Sequence, residues 1–150
     1  MSTLKLPLEG GCRCDRVRIR ATQAPLVTMA CHCNGCQRMS SSAFSLSAMF
    51  LADAFEVVKG DVVVGGLHGP DLDHCFCAYC MTWMFTRLAA APHLVNVRPT
   101  MFDDHSWFAP FVETYVKTKL PWAATGAVHA FEEFPPMDRW ASLMSEFASR

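Results

Sequence analysis

Alternating hydrophobic and polar positions predict a chain built mostly from short β-strands. In residues 17–21 the side chains of Val17, Ile19 and Ala21 share one face, and arginines occupy the other. Further apolar runs of strand length occur at residues 55–59, 62–64, 72–76, 83–88, 94–98 and 111–116. Glycine and proline turns separate several of these runs, which favours a mostly β fold of short antiparallel strands.

The clearest alternation lies in residues 44–50. Every even-numbered position there is apolar, whereas the odd-numbered positions carry Ser45, Ser47 and Met49. A period of two along the chain is typical of a strand with one buried face. We therefore expect the phenylalanine-bearing face of this strand to be buried and the serine-bearing face to be exposed.

A hairpin is predicted after this strand. Residues 55–59 end at a Gly60-Asp61 turn, so we expect residues 62–64 to return beside them. The glycine pair Gly65-Gly66 then indicates a loop.

Helical periodicity is confined to two places. Trp140, Leu143, Met144 and Phe147 are spaced at i, i+3, i+4 and i+7 after two consecutive prolines. This spacing predicts one amphipathic C-terminal helix whose apolar side packs on the body of the domain. The polar residues 37–42 are expected to form about one further helical turn.

Three arginines, Arg16, Arg18 and Arg20, line one face of the predicted N-terminal strand. Three aligned guanidinium groups could hold a substrate carboxylate. We favour a solvent-exposed face of an edge strand, because charged side chains commonly protect strand edges from pairing with other chains.

Composition and charge are those of an ordinary globular protein. The 150 residues suffice for one domain, 1–150, and 51% of them are hydrophobic. A formal net charge of -1 argues against a nucleic-acid binder that depends on many phosphate contacts. The first residues show no apolar leader, and the longest apolar region, 43–55, is too short to cross a bilayer. We expect a cytoplasmic protein with no membrane association.

The eight cysteines are the main chemical feature of the chain. Neighbouring thiols rarely form a disulfide with each other, and a cytoplasmic protein keeps its thiols reduced. Iron–sulfur ligation is a rival, but none of the ferredoxin spacings is present. Each cysteine belongs to a C-x-C or C-x-x-C cluster, namely Cys12 with Cys14, then Cys31, Cys33 and Cys36, then Cys75, Cys77 and Cys80. This clustering favours zinc.

The cluster Cys31, Cys33 and Cys36 can direct three sulfurs toward one Zn²⁺ at about 2.3 Å each. Three protein ligands leave one coordination position open, and an open position is typical of a catalytic zinc. Residues 75–80 repeat the same spacing, however. Spacing alone therefore leaves open which triplet shares a metal with Cys12 and Cys14.

Three segments resemble the motifs of the glutathione-dependent formaldehyde-activating (GFA) family. They are Gly-Cys-Arg-Cys at 11–14, Cys-His-Cys-Asn-Gly-Cys-Gln-Arg at 31–38 and Phe-Cys-Ala-Tyr-Cys at 76–80, in the order of the family. The resemblance implies a mostly β fold shared with a Rab-GTPase accessory protein and stitched together by zinc. It implies a structural zinc held by Cys12, Cys14, Cys77 and Cys80, and a catalytic zinc held by Cys31, Cys33 and Cys36. A site with three protein ligands binds its metal more weakly and is prone to oxidation, so the second zinc could be lost on purification.

The activity implied by this resemblance is that of a carbon–sulfur lyase similar to S-(hydroxymethyl)glutathione synthase. Such an enzyme adds the thiol of glutathione to formaldehyde, so the expected partners are a small thiol and a small aldehyde. The main alternative is a zinc-binding domain of the same fold that acts as a non-catalytic module or on another substrate. A zinc-ribbon nucleic-acid binder is disfavoured by the near-neutral charge.

Two positions depart from the family pattern. Met81 stands where family members carry glycine, and it would be strained by about 1–3 kcal/mol if the turn requires a positive φ. Cys75 is an additional thiol, which on a strand would share a face with Cys77. We interpret it as a buried bystander, although it could also close the open coordination position of the second zinc.

The chemistry of a three-thiolate zinc also favours a thiol substrate. Such a centre carries a net negative charge and lowers the pKa of bound water less than a three-histidine site does. An arriving thiol is still deprotonated by the metal and stays nucleophilic. Sequence indicates no second catalytic residue: His32 should point away from the metal, and His74 and His105 are ordinary histidines by default.

Overall fold

A computed structural model of the protein describes residues 4–150, apart from the side chain of His68. In that range the chain is mostly β and contains two sheets and two α-helices. The strands are β1 (Leu8–Gly11), β2 (Arg18–Ala21), β3 (Val27–Cys31), β4 (Ser45–Leu51), β5 (Phe55–Lys59), β6 (Val62–Gly69), β7 (Leu72–Cys77), β8 (Trp83–Leu88), β9 (Leu94–Val97), β10 (Val112–Thr114) and β11 (His129–Ala130). The helices are α1 (Asn34–Ser40) and α2 (Trp140–Ala148).

The chain divides into two compact units. The first comprises the described residues through Pro25 together with Met49–Phe108, and the second comprises Leu26–Ala48 together with Ala109–Arg150. Strand β4 begins in the second unit and ends in the first. That residues 1–150 act as a single domain stays a prediction.

The first unit contains a small antiparallel sheet in the order β1-β2-β5. Strand β2 is its central strand, so the predicted edge position of the arginine strand is wrong. The side chains of Ile19 and Ala21 are fully buried, as the alternation indicated. On the opposite face Arg18 pairs with Asp15 and Asp103. These ion pairs occupy the guanidinium group, and they explain how a charged face is tolerated in a central strand.

The same unit contains an antiparallel meander formed by β6, β7, β8 and β9. Strand β6 pairs with β7, so the predicted hairpin between residues 55–59 and 62–64 is wrong. It also runs on through the glycines that were predicted to form a loop, with a shift of register between Gly65 and Gly69. Both β5 and β7 adjoin β6 along the chain, and their apolar runs are too similar to show which of the two pairs with it.

Strand β4 is buried on both faces. Ser45 and Ser47 are buried, whereas Leu46 is only half-buried, so the predicted solvent-facing role of the serines is wrong. A strand covered on both sides has no solvent face, and alternation then no longer reports burial.

The second unit contains parallel strand pairs, contrary to the prediction of antiparallel strands alone. Strand β10 lies between β3 and β11 and is parallel to both. Helix α2 confirms the C-terminal prediction: Leu143 is buried, and Phe147 packs on Phe111 with ring centroids 5.4 Å apart. No helix within residues 4–150 has the length and apolar character needed to cross a bilayer.

Candidate metal centres

Four thiols converge in the first unit. They come from the turn that follows β1, from the end of β7 and from the turn before β8, and their sulfur atoms all lie within 4.8 Å of one another. We call Cys12, Cys14, Cys77 and Cys80 the four-thiol cluster. The structure thus brings together the two distant pairs that the family resemblance implies.

Backbone and hydroxyl groups donate to the sulfurs of the four-thiol cluster. The Val17 amide lies 3.4 Å from Cys12 Sγ, and the Tyr79 amide lies 3.4 Å from Cys77 Sγ. Burial opposes ionisation of Cys80, but hydrogen bonds from Thr82 outweigh it and lower the pKa of Cys80 to about 5. Four converging sulfurs with thiolate-stabilising donors match the ligand set of a closed structural Zn²⁺ site.

The residue after this cluster, Met81, has a φ of 57°, as expected if the turn requires a positive value. Its amide donates to the Cys77 carbonyl at 3.0 Å, which holds the turn closed. Left-handed backbone costs a non-glycine residue about 1–2 kcal/mol. Met81 therefore carries backbone strain beside the four-thiol cluster.

A Met81→Gly substitution is expected to stabilise the protein by about 0.5–1 kcal/mol. Glycine relieves the left-handed strain, and part of that gain is offset by its greater freedom in the unfolded chain. Little packing is lost, because the Met81 side chain is 54% exposed. Urea denaturation of the zinc-loaded protein measures the change; a lower unfolding midpoint for the variant would contradict the prediction.

Three further thiols converge in the second unit, and we call Cys31, Cys33 and Cys36 the three-thiol cluster. Their sulfur atoms lie within 4.8 Å of one another, and all three residues are half-buried. No fourth His, Cys, Asp or Glu joins this group among the side chains that the structure describes. The cluster therefore has the incomplete ligand set expected of a reactive site, and it is partly open to solvent.

A helix start shapes the three-thiol cluster. Helix α1 begins at Asn34, three residues before the predicted helical turn, because the Cys33 sulfur caps it by accepting the Cys36 amide at 3.3 Å. Strand β3 ends at Cys31, so strand end, cap and first turn present three sulfurs together. A cysteine cap is less obvious in a sequence than Ser, Thr, Asn or Asp, the usual capping residues.

The sulfurs of the three-thiol cluster share negative charge. A hydrogen bond from the Cys36 thiol stabilises the Cys31 thiolate, which lowers the pKa of Cys31 to about 5. The same pairing, together with burial, raises the pKa of Cys36. A thiolate held against further sulfur donors suits a soft divalent cation such as Zn²⁺.

His32, between two cysteines of the three-thiol cluster, is fully buried and does not belong to the group of converging ligand atoms. Its Nε2 lies 3.0 Å from Glu113 Oε2, and its ring packs edge-on against Phe44. Its carbonyl accepts hydrogen bonds from the side chains of Gln37 and Thr118 at 2.8 and 2.9 Å. His32 thus anchors the loop that carries the thiols.

Glu113 is a site residue that the sequence analysis missed. Its carboxylate accepts from Lys119 at 2.9 and 3.0 Å and from Thr125 at 2.8 Å, in addition to His32. Burial disfavours its charge, but these hydrogen bonds prevail and lower the pKa of Glu113. A glutamate between Val112 and Thr114, inside the strand predicted at residues 111–116, was the signal in the sequence that could have identified it.

The other candidate residues lie in neither cluster. Cys75 is buried, its sulfur is 3.7 Å from the Asp73 carbonyl, and burial raises its pKa. His74 Nδ1 contacts Thr86 Oγ1 at 2.9 Å, and His105 Nδ1 contacts a backbone carbonyl. That Cys75 is a bystander and that the two histidines have no role at the metal stay predictions.

Comparison with solved structures finds a similar fold in a protein from Rhodobacter sphaeroides whose crystal structure came from a structural genomics programme. The two share a TM-score of 0.53 and 20% sequence identity, over 64% of this chain and 88% of that chain. At this identity the similarity concerns the fold alone. No match to the chain is found among curated proteins.

Comparison with protein families gives a direct result. Residues 7–118 match the family described as "Glutathione-dependent formaldehyde-activating enzyme". The matched segment includes every cysteine of both thiol clusters. This chain therefore belongs to the glutathione-dependent formaldehyde-activating enzyme (GFA) family.

Proposed function

We propose that the protein is a zinc-dependent carbon–sulfur lyase that adds a small thiol, glutathione, to a small aldehyde such as formaldehyde. The observation that carries the proposal is the three-thiol cluster: three converging, half-buried sulfurs with no fourth ligand among the described residues. Family membership supplies the substrate class, since the family is named for glutathione and formaldehyde.

The two clusters are proposed to have different roles. Cys12, Cys14, Cys77 and Cys80 would hold a structural zinc and stitch the turn after β1 to the end of β7. Cys31, Cys33 and Cys36 would hold a catalytic zinc, which would supply the Lewis acidity that lowers the pKa of an arriving thiol. The donors fit this metal in both places, because soft thiolate sulfur is a preferred zinc ligand.

The proposed reaction is an addition without oxidation or reduction. The thiol sulfur forms a bond to the carbonyl carbon, the π electrons of the carbonyl move to its oxygen, and the proton released by the thiol ends on that oxygen. The chain contributes a partly open loop in which Cys31 lies at the end of β3 and Cys33 caps α1. Rigid elements on both sides keep the sulfurs in place while the substrate sulfur arrives.

Glutathione is expected to bind the zinc-loaded protein with measurable heat. The matched control is S-methylglutathione, which keeps every group except the free thiol and should give no heat beyond dilution. Isothermal titration calorimetry with protein shown to hold two metal ions per chain checks this. Equal heats for the two ligands, or none for either, would contradict a thiol substrate and favour a non-catalytic module.

Turnover requires a second measurement. Adduct formation from formaldehyde and glutathione should be faster with the zinc-loaded protein than without protein, under conditions where the uncatalysed addition is measured separately. We place this activity in the cytoplasm, where a reducing environment keeps the seven cysteines of the two clusters available as ligands.

A further inference from the structure

The unit that holds the three-thiol cluster also contains a buried hydrogen-bond network centred on Glu113. The network is connected to the cluster through His32, which lies between Cys31 and Cys33. Glu113 is buried in β10, where its neighbours in sequence, Val112 and Thr114, are also buried. Its carboxylate accepts hydrogen bonds of 2.8–3.0 Å from His32, Lys119 and Thr125. None of these residues carries a sulfur, so the network is separate from the ligands themselves.

The hydrogen bond between Glu113 and His32 has a defined direction. Lys119 and Thr125 donate to the same carboxylate, which is therefore the acceptor, and His32 Nε2 carries the hydrogen. The other ring nitrogen, Nδ1, is buried and has no hydrogen-bond partner in the part of the chain that the structure describes. Glu113 is thus the one polar anchor of the His32 ring among the described side chains.

His32 transmits this anchoring to the thiols over one peptide unit on each side. Its amide donates to the Thr114 carbonyl at 3.0 Å, and its carbonyl accepts from Gln37 and Thr118. Ring and backbone of His32 are therefore both fixed. Cys31 and Cys33 are the immediate neighbours of His32 in the chain. A displaced His32 ring would therefore shift the peptide units that carry two of the three sulfurs.

We propose that Glu113 is a positioning residue: by holding the His32 ring it fixes the loop of Cys31, Cys33 and Cys36, and so sets the metal affinity of the three-thiol cluster. The stability of the fold alone does not explain a buried charge at Glu113, because well-packed apolar residues often stabilise a fold equally well. Mutating residues that hydrogen-bond to metal ligands and orient them typically lowers the metal affinity by about 10–100-fold. The inference rests on the proposed function only in requiring that this cluster holds a metal.

Glu113→Gln tests the inference in the full-length protein. Glutamine keeps the size of the side chain but is uncharged and has one acceptor oxygen in place of two. If its amide takes the place of Oε2, His32 and Thr125 lose their acceptor. If the amide takes the place of Oε1, it opposes the Lys119 ammonium, and His32 is left with a neutral oxygen that holds its ring more weakly. We expect the zinc affinity of the three-thiol cluster to fall by about 10-fold or more, while that of the four-thiol cluster stays unchanged. Competition between zinc and a chromophoric chelator, resolving the weaker and the tighter site, measures both affinities.

The matched control is Glu133→Gln. Glu133 also pairs with a lysine of the same unit, Lys117, but this pair is exposed to solvent and does not include His32. Both zinc affinities should stay at the wild-type values. A general effect of removing a carboxylate would lower them in the control as well, and that result would overturn the inference.

Cobalt substitution adds a readout that loss of stability alone does not change. Thiolate-to-cobalt absorption at the weaker site should shift in position or intensity in Glu113→Gln and not in Glu133→Gln. Equal weaker-site affinities and equal spectra in Glu113→Gln and the wild type would overturn the inference. Should Glu113→Gln fail to fold, Thr125→Val removes a single hydrogen bond from the same carboxylate and must show a smaller loss of affinity in the same direction.

These measurements separate the inference from the proposed function. If the wild type holds a second metal but neither binds glutathione nor forms the adduct, the proposed function fails while the affinity comparison still decides the role of Glu113. If glutathione binds and adduct forms, yet Glu113→Gln keeps the wild-type affinity, the proposed function stands and the inference fails.

Discussion

A Cys33→Ser variant is expected to fold, to hold one metal ion per chain in place of two, and to lose activity by a factor of at least about 100. Serine remains protonated at neutral pH and is a poor substitute for a thiolate at zinc. Two sulfurs are then too few to keep the metal in the three-thiol cluster. Elemental analysis of freshly purified protein and the rate of adduct formation measure the two losses.

The fold should survive this change for a local reason. The Cys33 sulfur caps α1 by accepting the Cys36 amide, and serine is among the preferred capping residues. We expect the midpoint of thermal unfolding to fall by only a few degrees. The matched control is Cys75→Ala, which removes a buried thiol outside both clusters and should retain both metals and the activity.

The second large effect is expected from Cys77→Ser, which should destabilise or unfold the protein. Cys77 is 1% exposed and belongs to the four-thiol cluster, where its sulfur also accepts the Tyr79 and Cys80 amides. Structural zinc sites contribute about 10–16 kcal/mol in small peptides, against a total domain stability of about 5–15 kcal/mol. Loss of one ligand therefore removes a large share of the stability.

Thermal unfolding followed by circular dichroism in excess zinc measures this effect. A loss of about 5 kcal/mol corresponds to a decrease of about 10–20 °C in the midpoint for a chain of this length. Comparison with Cys33→Ser is decisive for the two roles. If the two variants have the same metal content and the same melting temperature, the division into a structural and a catalytic centre is wrong.

Helix α2 and most strands were predictable because their periodicity is local. Leu143 and Phe147 of α2 face the core at helical spacing, and residues 83–88 form β8 as their composition indicated. Strand pairing was not predictable in the same way. Strand β6 lies beside β7 and not beside β5, and the choice between two similar apolar strands depends on contacts that a sequence pattern does not contain.

The candidate site likewise has a part that was predictable from local sequence and a part that was not. The motif of Cys31, Cys33 and Cys36 is short, so its spacing alone indicates converging sulfurs. The Glu113 contact to His32 joins residues 81 positions apart, and neither segment contains a sequence pattern that predicts the contact. A buried glutamate is visible in the sequence only as an anomaly in an apolar run.

Taken by itself, the order of residues determined the strand-rich class, the C-terminal helix, the family and the presence of thiol clusters, because each depends on spacing within a few residues. Only the tertiary structure decided that Cys77 and Cys80 join Cys12 and Cys14, and that Cys75 does not. An extended strand separates Cys75 from Cys77 by about 6.6 Å, whereas a turn folds Cys12 and Cys14 toward each other. Metal ligands are selected by distance in space, and that distance exists only once the chain has folded.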